Sequence, residues 1–218
     1  MRRAVLHSKK QAKSGMPVVR NMMFKKHPRY MLQTYGGETL KKISEPVCVF
    51  DRELGDLARF MIKATHALNG IGLAAVQIGV HKRLIVLDIP QSSMGNPPTP
   101  GELQLLPQMP LALVNPRIVE FGGAVTACDE GCLSVPEIYA EVMRPQLIKV
   151  QAQDLNGNEL EFECGGLLAR CIQHEVDHLD GLTFIDRLTP EVRSSVDREL
   201  KDLDRRGKKF NYQRNIKI

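Results

Sequence analysis

The chain is short of several things, and each shortage narrows what it can be. No apolar run in its 218 residues approaches the roughly 18 needed to cross a bilayer, so no membrane association is expected. Cysteine is sparse. Five residues, an odd number at irregular spacing with no apolar leader before them, do not make a secreted disulfide framework and read as reduced thiols in a cytosol-like compartment. Aromatic residues are only 5%, and no segment resembles an RNA-reading module. Acidic residues are missing from the first 37 positions, which hold Arg2, Arg3, Lys9, Lys10, Lys13, Arg20, Lys25, Lys26 and Arg29 before the first acid, Glu38. The formal charge of +5 is thus concentrated at the ends, because Arg205, Arg206, Lys208, Lys209, Arg214 and Lys217 close the chain. The middle is near balance, so charge says little about an active site.

What is present turns on Gln173-His174-Glu175-Val176-Asp177-His178, an H-E-x-x-H motif inside a segment with helical patterning. Two histidines four residues apart leave one face of a helix together and can share one divalent metal. Glu175 projects to another side, which suits a general base better than a ligand. Asp177 reads as a supporting or solvent-facing residue. A structural zinc site is closed by four protein ligands, whereas a catalytic one uses three and keeps a position open. The location of a third ligand therefore decides the reading.

Residues 1–34 show no clear period and read as a basic, poorly ordered extension. A transit peptide would place the protein in an organellar matrix or stroma instead of the cytoplasm. Asp51 reads as an N-cap, and Leu54, Leu57, Met61, Ala64 and Leu68 recur at helical steps until Asn69-Gly70. Gly70-Ile71-Gly72-Leu73-Ala74-Ala75 matches a dinucleotide fingerprint in letters only. That fingerprint follows a strand and opens a helix. Here a helix precedes it and the apolar strand Leu84 to Ile89 follows, so no nucleotide cofactor is expected. Its glycines are expected to let another backbone approach. Six prolines over 90–110 read as a long surface loop. Strands are expected at 111–121, 124–128 and 139–155, with a hairpin turn at Asn156-Gly157 leading into 159–163. Gly165-Gly166 opens a helix that Leu167, Leu168, Cys171, Ile172, Val176 and Leu179 make apolar all round, hence central and buried. Gly181 closes it. Thr189-Pro190-Glu191 opens a last helix with the stripe Val192, Val196, Leu200 and Leu203, ended by Gly207. A catalytic domain over 35–205 and a basic tail over 206–218 follow from this division.

Four other histidines and five cysteines compete for the third ligand position. His7 and His27 lie in the extension. His66 and His81 read as surface or satisfied core residues. Cys48, Cys164 and Cys171 read as small buried hydrophobes, and Cys128 as core or pocket wall. Cys132 stands apart, between strands, in Glu130-Gly131-Cys132-Leu133-Ser134.

With that segment beside Gly70–Gln77 and Gln173–His178, the chain resembles peptide deformylases, whose three motifs these are in order. The resemblance spans about residues 35–205. It implies an α+β fold, antiparallel β-sheets around a central helix carrying the H-E-x-x-H motif, with a C-terminal helix. It implies Cys132, His174 and His178 as metal ligands and Glu175 as the catalytic acid–base. The Gln77 amide and the Leu133 backbone N–H would stabilise the oxyanion. The ion would be ferrous iron, with zinc, nickel or cobalt able to substitute. The substrate would be the N-formylmethionyl end of a nascent peptide. Ile71, Cys128, Leu167, Arg170 and Cys171 would wall the methionine pocket, Ile71 and Gly72 would offer backbone hydrogen bonds, and Glu130 and Gly131 would complete the binding wall. Arg170 departs from the aliphatic residue common at its position. Its stem is expected to line the pocket while its guanidinium reaches water.

Two other readings remain at this level. A zinc endopeptidase would need a further ligand downstream, where Glu191 and Glu199 occur but no histidine follows His178. A ribosome- or RNA-associated protein with a structural metal would use the charged ends. The basic C-terminal segment also admits ribosome docking by the enzyme itself.

Overall fold

The computed structural model describes residues 30–210 and 213–215. A five-stranded antiparallel sheet in the order β2 (Gly72–Ala74), β3 (Leu84–Leu87), β4 (Leu111–Cys132), β5 (Val135–Gln153), β6 (Glu159–Cys164) forms the body. Helix α1 (Arg52–Ala67) packs on β2 and β3, and helix α3 (Gly166–Leu179) packs on β2, β3 and β5. One core joins the sheet to α3 through Ile85, Leu87, Ile148, Val150, Leu168 and Ile172. A second joins it to α1 through Leu54, Met61, Leu73, Leu84 and Val86. Burying such a side chain contributes about 1.5–3 kcal/mol, so both helices are held mainly by their apolar faces.

Helix α1 starts where an N-cap is expected: Asp51 Oδ1 accepts the Leu54 N–H at 2.9 Å. Asn69, at φ 56°, takes the chain out of it. The Asn156-Gly157 turn joins β5 to β6 with strand register intact on both sides.

Several expectations are corrected. The strands expected at 111–121 and 124–128 are one, and the next begins at Val135 rather than 139. A register shift between Gly122 and Val125 absorbs the glycines as an irregularity within a continuing ladder. The 90–110 segment is more than a surface loop. It holds α2 (Pro100–Leu105), buries Leu105 and Leu106, and packs Met94 and Met109 on the main core. The last helix is two, α4 (Pro190–Ser195) and α5 (Asp197–Phe210), and Gly207 does not end it.

The boundaries at both ends also move. Strand β1 (Met31–Gln33), with Leu32 fully buried, lies inside the span expected to be an extension. It pairs antiparallel with β7 (Gln213–Asn215), which lies inside the expected basic tail. The rest of the extension, residues 1–29, falls outside the described residues. Finally, what crowds Gly72 is not backbone. A Cβ there would stand 2.5 Å from Glu175 Oε1 and 2.7 Å from Cys171 Sγ. The glycine lets side chains of α3 press against β2.

Candidate metal centre and active site

Helix α3 is buried along most of its length because its neighbours cover it on several sides. His174, Glu175, Asp177 and His178 are all among its buried residues. Gln173 ties the helix to β5, donating from Nε2 to Pro145 O at 3.0 Å as well as to Ala169 O within the helix. At the other side of the site β4 and β5 meet in a tight connection, with a register irregularity between Gly131 and Cys132. That connection carries the half-buried Cys132 to the histidines.

The ligand atoms of Cys132, His174 and His178 all lie within 4.8 Å of one another. Cys132 Sγ is 3.1 Å from His178 Nε2. Three donors bonding one ion at about 2.0–2.3 Å must lie this close, so the set fits a single metal. His174 Nδ1 meets Glu130 Oε2 at 2.9 Å. With Nδ1 taken up on that side, Nε2 is the nitrogen that would bind an ion.

The electrostatics fit a cation as well. Burial raises the Cys132 thiol, but the charge of His178, then hydrogen bonds from both imidazoles, hold it well below its ordinary value. Burial opposes a charged His174, yet the Cys132 sulfur and Glu130 raise it well above the ordinary range. The sulfur is favoured as a thiolate against protonated imidazole here, and a divalent ion would supply the positive charge in place of that proton.

Glu175 is buried beside this cluster, and its Oε2 has no hydrogen-bond partner within the protein. Burial pushes its carboxyl up to about 7, against the pull of the two imidazoles. Gln77 approaches from the 3-10 turn Ala75–Ile78. Its Oε1 accepts the Ala74 N–H at 2.7 Å, which points its Nε2 at Ser134 Oγ, 3.2 Å away, and at Cys132 Sγ, 3.5 Å away. Leu133, between those two, is partly buried against the α1 core.

The expected wall residues do not all behave alike. Cys171 is buried and its thiol faces Ile71 O at 3.7 Å, while Ile71 itself is 38% exposed at the edge strand. Leu167 is half-buried against the core. A Cβ on Gly131 would run into the Tyr139 ring at 2.5 Å, so that ring lies over the strand end. Cys128 and Cys48 are exposed, which removes both from the core. The Arg170 guanidinium does not reach out to water. It donates to Glu130 Oε1 at 2.9 Å, Val142 O at 3.0 Å and Thr126 O at 2.9 Å.

Sequence reasoning missed the support of this site. Arg144 donates through Nε and one terminal nitrogen to both oxygens of Glu130, at 2.6 and 3.0 Å, and through the other to Asp177 Oδ2 at 2.9 Å. Arg187 holds Asp177 from the other side at 2.6 Å. The available signal was parity: Ala140, Val142 and Arg144 alternate on the buried face of β5, an unusual place for an arginine. Although burial raises it, Glu130 is held down to about 2 by His174 and Arg144.

Comparison with known proteins settles the family. The model described as polypeptide deformylase matches residues 30–194. The chain belongs to the peptide deformylase family. Among curated peptide deformylases, peptide deformylase 2 of Gloeobacter violaceus is 41% identical over 165 residues, covering 76% of this chain and 82% of the relative. Peptide deformylase 2 of Prochlorococcus marinus is 39% identical, covering 81% of each. Among solved structures, Arabidopsis thaliana peptide deformylase 1B bound to an inhibitor is similar with a TM-score of 0.70 at 33% identity, over 85% of this chain and 96% of that one. The Synechococcus elongatus deformylase in complex with actinonin gives a TM-score of 0.67 at 38% identity, over 79% and 88%. This deformylase-family chain also has, among the described residues, no helix long and apolar enough to cross a membrane.

Proposed function

We propose that the protein hydrolyses the formamide at the N-terminus of formylmethionyl peptides, releasing formate and a free amine. The observation that carries this reading is the convergence of Cys132, His174 and His178 beside a buried carboxyl oxygen with no partner of its own. Those three residues would hold one divalent ion. We read it as ferrous iron from the family resemblance, with zinc, nickel or cobalt able to occupy the same donors. When bound, such an ion supplies Lewis acidity and brings water within reach of deprotonation at neutral pH.

The chain's own groups do the rest. Glu175 Oε2 accepts a proton from the attacking water and returns it to the methionine nitrogen as the C–N bond breaks. Gln77 Nε2, fixed by the bond its Oε1 accepts from Ala74, and the Leu133 N–H donate to the oxygen that gains charge. Glu130 keeps His174 in one tautomer. Strand β2 is an edge of the sheet, and Gly72 there, with Ile71 just before it, would pair with an extended peptide backbone. Leu167, Cys171 and the Arg170 stem would border the methionine side chain, with Gly131 and Cys128 further along the cleft. The sheet wrapped on α3 is, on this reading, the scaffold that holds this geometry rigid.

Anaerobically purified protein should carry one metal per chain and release formate from formyl-Met-Ala-Ser. Glu175→Ala should keep the metal and lose about 10²–10⁴-fold of that activity. Cleavage inside unblocked peptides without formate would favour the endopeptidase reading and overturn this one. Nascent chains are the natural source of such ends, and the C-terminal basic residues offer a ribosome contact. Reversing the charge of the exposed Arg205 and Arg206 should weaken pelleting with ribosomes but not small-peptide turnover, and unchanged pelleting would remove that contact.

A further inference from the structure

We propose that Arg170 is a positioning residue for the metal ligands, its guanidinium acting through Glu130 while its stem borders the pocket. The inference rests on the metal-site reading above. Glu130 receives four donors, two on each oxygen. Arg144 Nε and Arg170 Nη1 meet Oε1, while Arg144 Nη2 and His174 Nδ1 meet Oε2. Arg144 is shared, because it also binds Asp177. Among the described residues, the one carboxylate Arg170 meets is Glu130.

The placement gives this contact its force. Arg170 and His174 are four residues apart on α3, so they sit one above the other on the same face of one rigid helix. Glu130 comes from β4. One oxygen of its carboxylate is clamped by a residue of α3 and the other is read by a residue of α3 one turn later. The separation of clamp and ligand is therefore set by helix geometry and not by how β4 happens to lie. The guanidinium is itself held, by Thr126 O on β4 and Val142 O on β5. Loss of the clamp leaves Oε1 with a single donor that Asp177 draws in another direction. The carboxylate, its arginine contacts then left to the Arg144 fork alone, follows that arginine instead of α3, and His174 loses its fixed angle. A guanidinium that only stapled helix to strands would cost stability yet leave the metal affinity of the folded protein unchanged.

The test reads Co²⁺ binding and its thiolate absorption band, with affinity taken from competition against a chelator. Arg170→Met keeps the stem and removes every donor. It should weaken Co²⁺ binding about 10- to 100-fold, with the band still that of one thiolate, and Arg170→Lys should recover part of the loss. In a Glu130→Gln background the same Arg170→Met change should shift affinity less than about twofold, because the group it acts through has lost its charge. Equal loss in both backgrounds overturns the proposal, as does wild-type affinity in Arg170→Met. If near-UV circular dichroism shows Arg170→Met unfolded, the Arg170→Lys pair in both backgrounds decides by the same criteria. Wild-type protein that binds no Co²⁺ through a thiolate overturns the metal-site reading and this inference together, whereas normal binding with an indifferent Arg170 overturns this inference alone.

Discussion

Two buried carboxylates flank α3 and are stabilised in different ways. Glu130 stands against its middle at 6% exposure and faces two arginines and a histidine. Glu102, from α2, stands near its start at 1% exposure, and its partners are neutral donors. The N–H and hydroxyl of Thr99 reach it at 2.8 and 2.7 Å and the Gly95 N–H at 2.9 Å. The same Thr99 hydroxyl accepts the Gly165 N–H at 3.2 Å, which ties the proline-rich segment to the threshold of α3. A charge paired with charges in a dry site is costly to break from one side, because the partners are left buried and uncompensated. A charge held by backbone and hydroxyl donors leaves only dipoles behind. The first arrangement orients the His174 ring, and the second fastens a loop.

Breaking each in turn should separate them. Glu130→Ala should cost about 3–5 kcal/mol and Glu102→Ala about 1–3 kcal/mol in denaturant unfolding. Equal losses would erase the distinction. Glycines give a second contrast. Gly72→Ala would drive a methyl into Glu175 and Cys171, and a misplaced base should lower formate release on the order of 10²-fold. Gly101→Ala would meet the Glu163 carbonyl at 2.5 Å. It should cost about 1–3 kcal/mol in stability while leaving turnover of the folded protein within about twofold of wild type. Turnover falling equally in both would mean that the segment serves the chemistry as well.

The smallest effect is one of pH. Burial pushes Glu102 up, but the Thr99 hydroxyl and the Thr99 and Gly95 N–H groups bring it below the ordinary value of 4.5. A carboxyl lowered by folding stabilises fully above its unfolded value and loses that contribution as pH falls through the folded one. The stability gap between wild type and Glu102→Gln should therefore be widest above about pH 5 and close on acidification. A gap that grows in acid would contradict the assignment.

The sequence disclosed local features well. The Asp51 cap, the turn at Asn156-Gly157 and the apolar girth of the 166–179 helix all depend on neighbours a few residues away. It failed where long-range packing overrode local signals. Gly122 and Gly123 look like a strand end, but pairing with β5 resumes at Val125 and carries the ladder past them. Pro-rich text at 90–110 looks solvated, but Leu105 and Leu106 find a core to enter. Cys128, Glu130 and Cys132 share a strand and a parity, yet Cys128 is exposed while Glu130 and Cys132 meet the histidines, a difference set by what packs opposite each position.

Helical periodicity alone placed His174 and His178 on one face and turned Glu175 aside, since a four-residue step on a helix allows little else. Only tertiary structure decided what stands opposite them. Cys132 is 46 residues from His178 along the chain, and the β4–β5 connection brings its sulfur within reach. Arg144, Arg170 and Arg187 gather around Glu130 and Asp177 because charges excluded from water must find one another, and no short-range pattern in the sequence records which partner each will find.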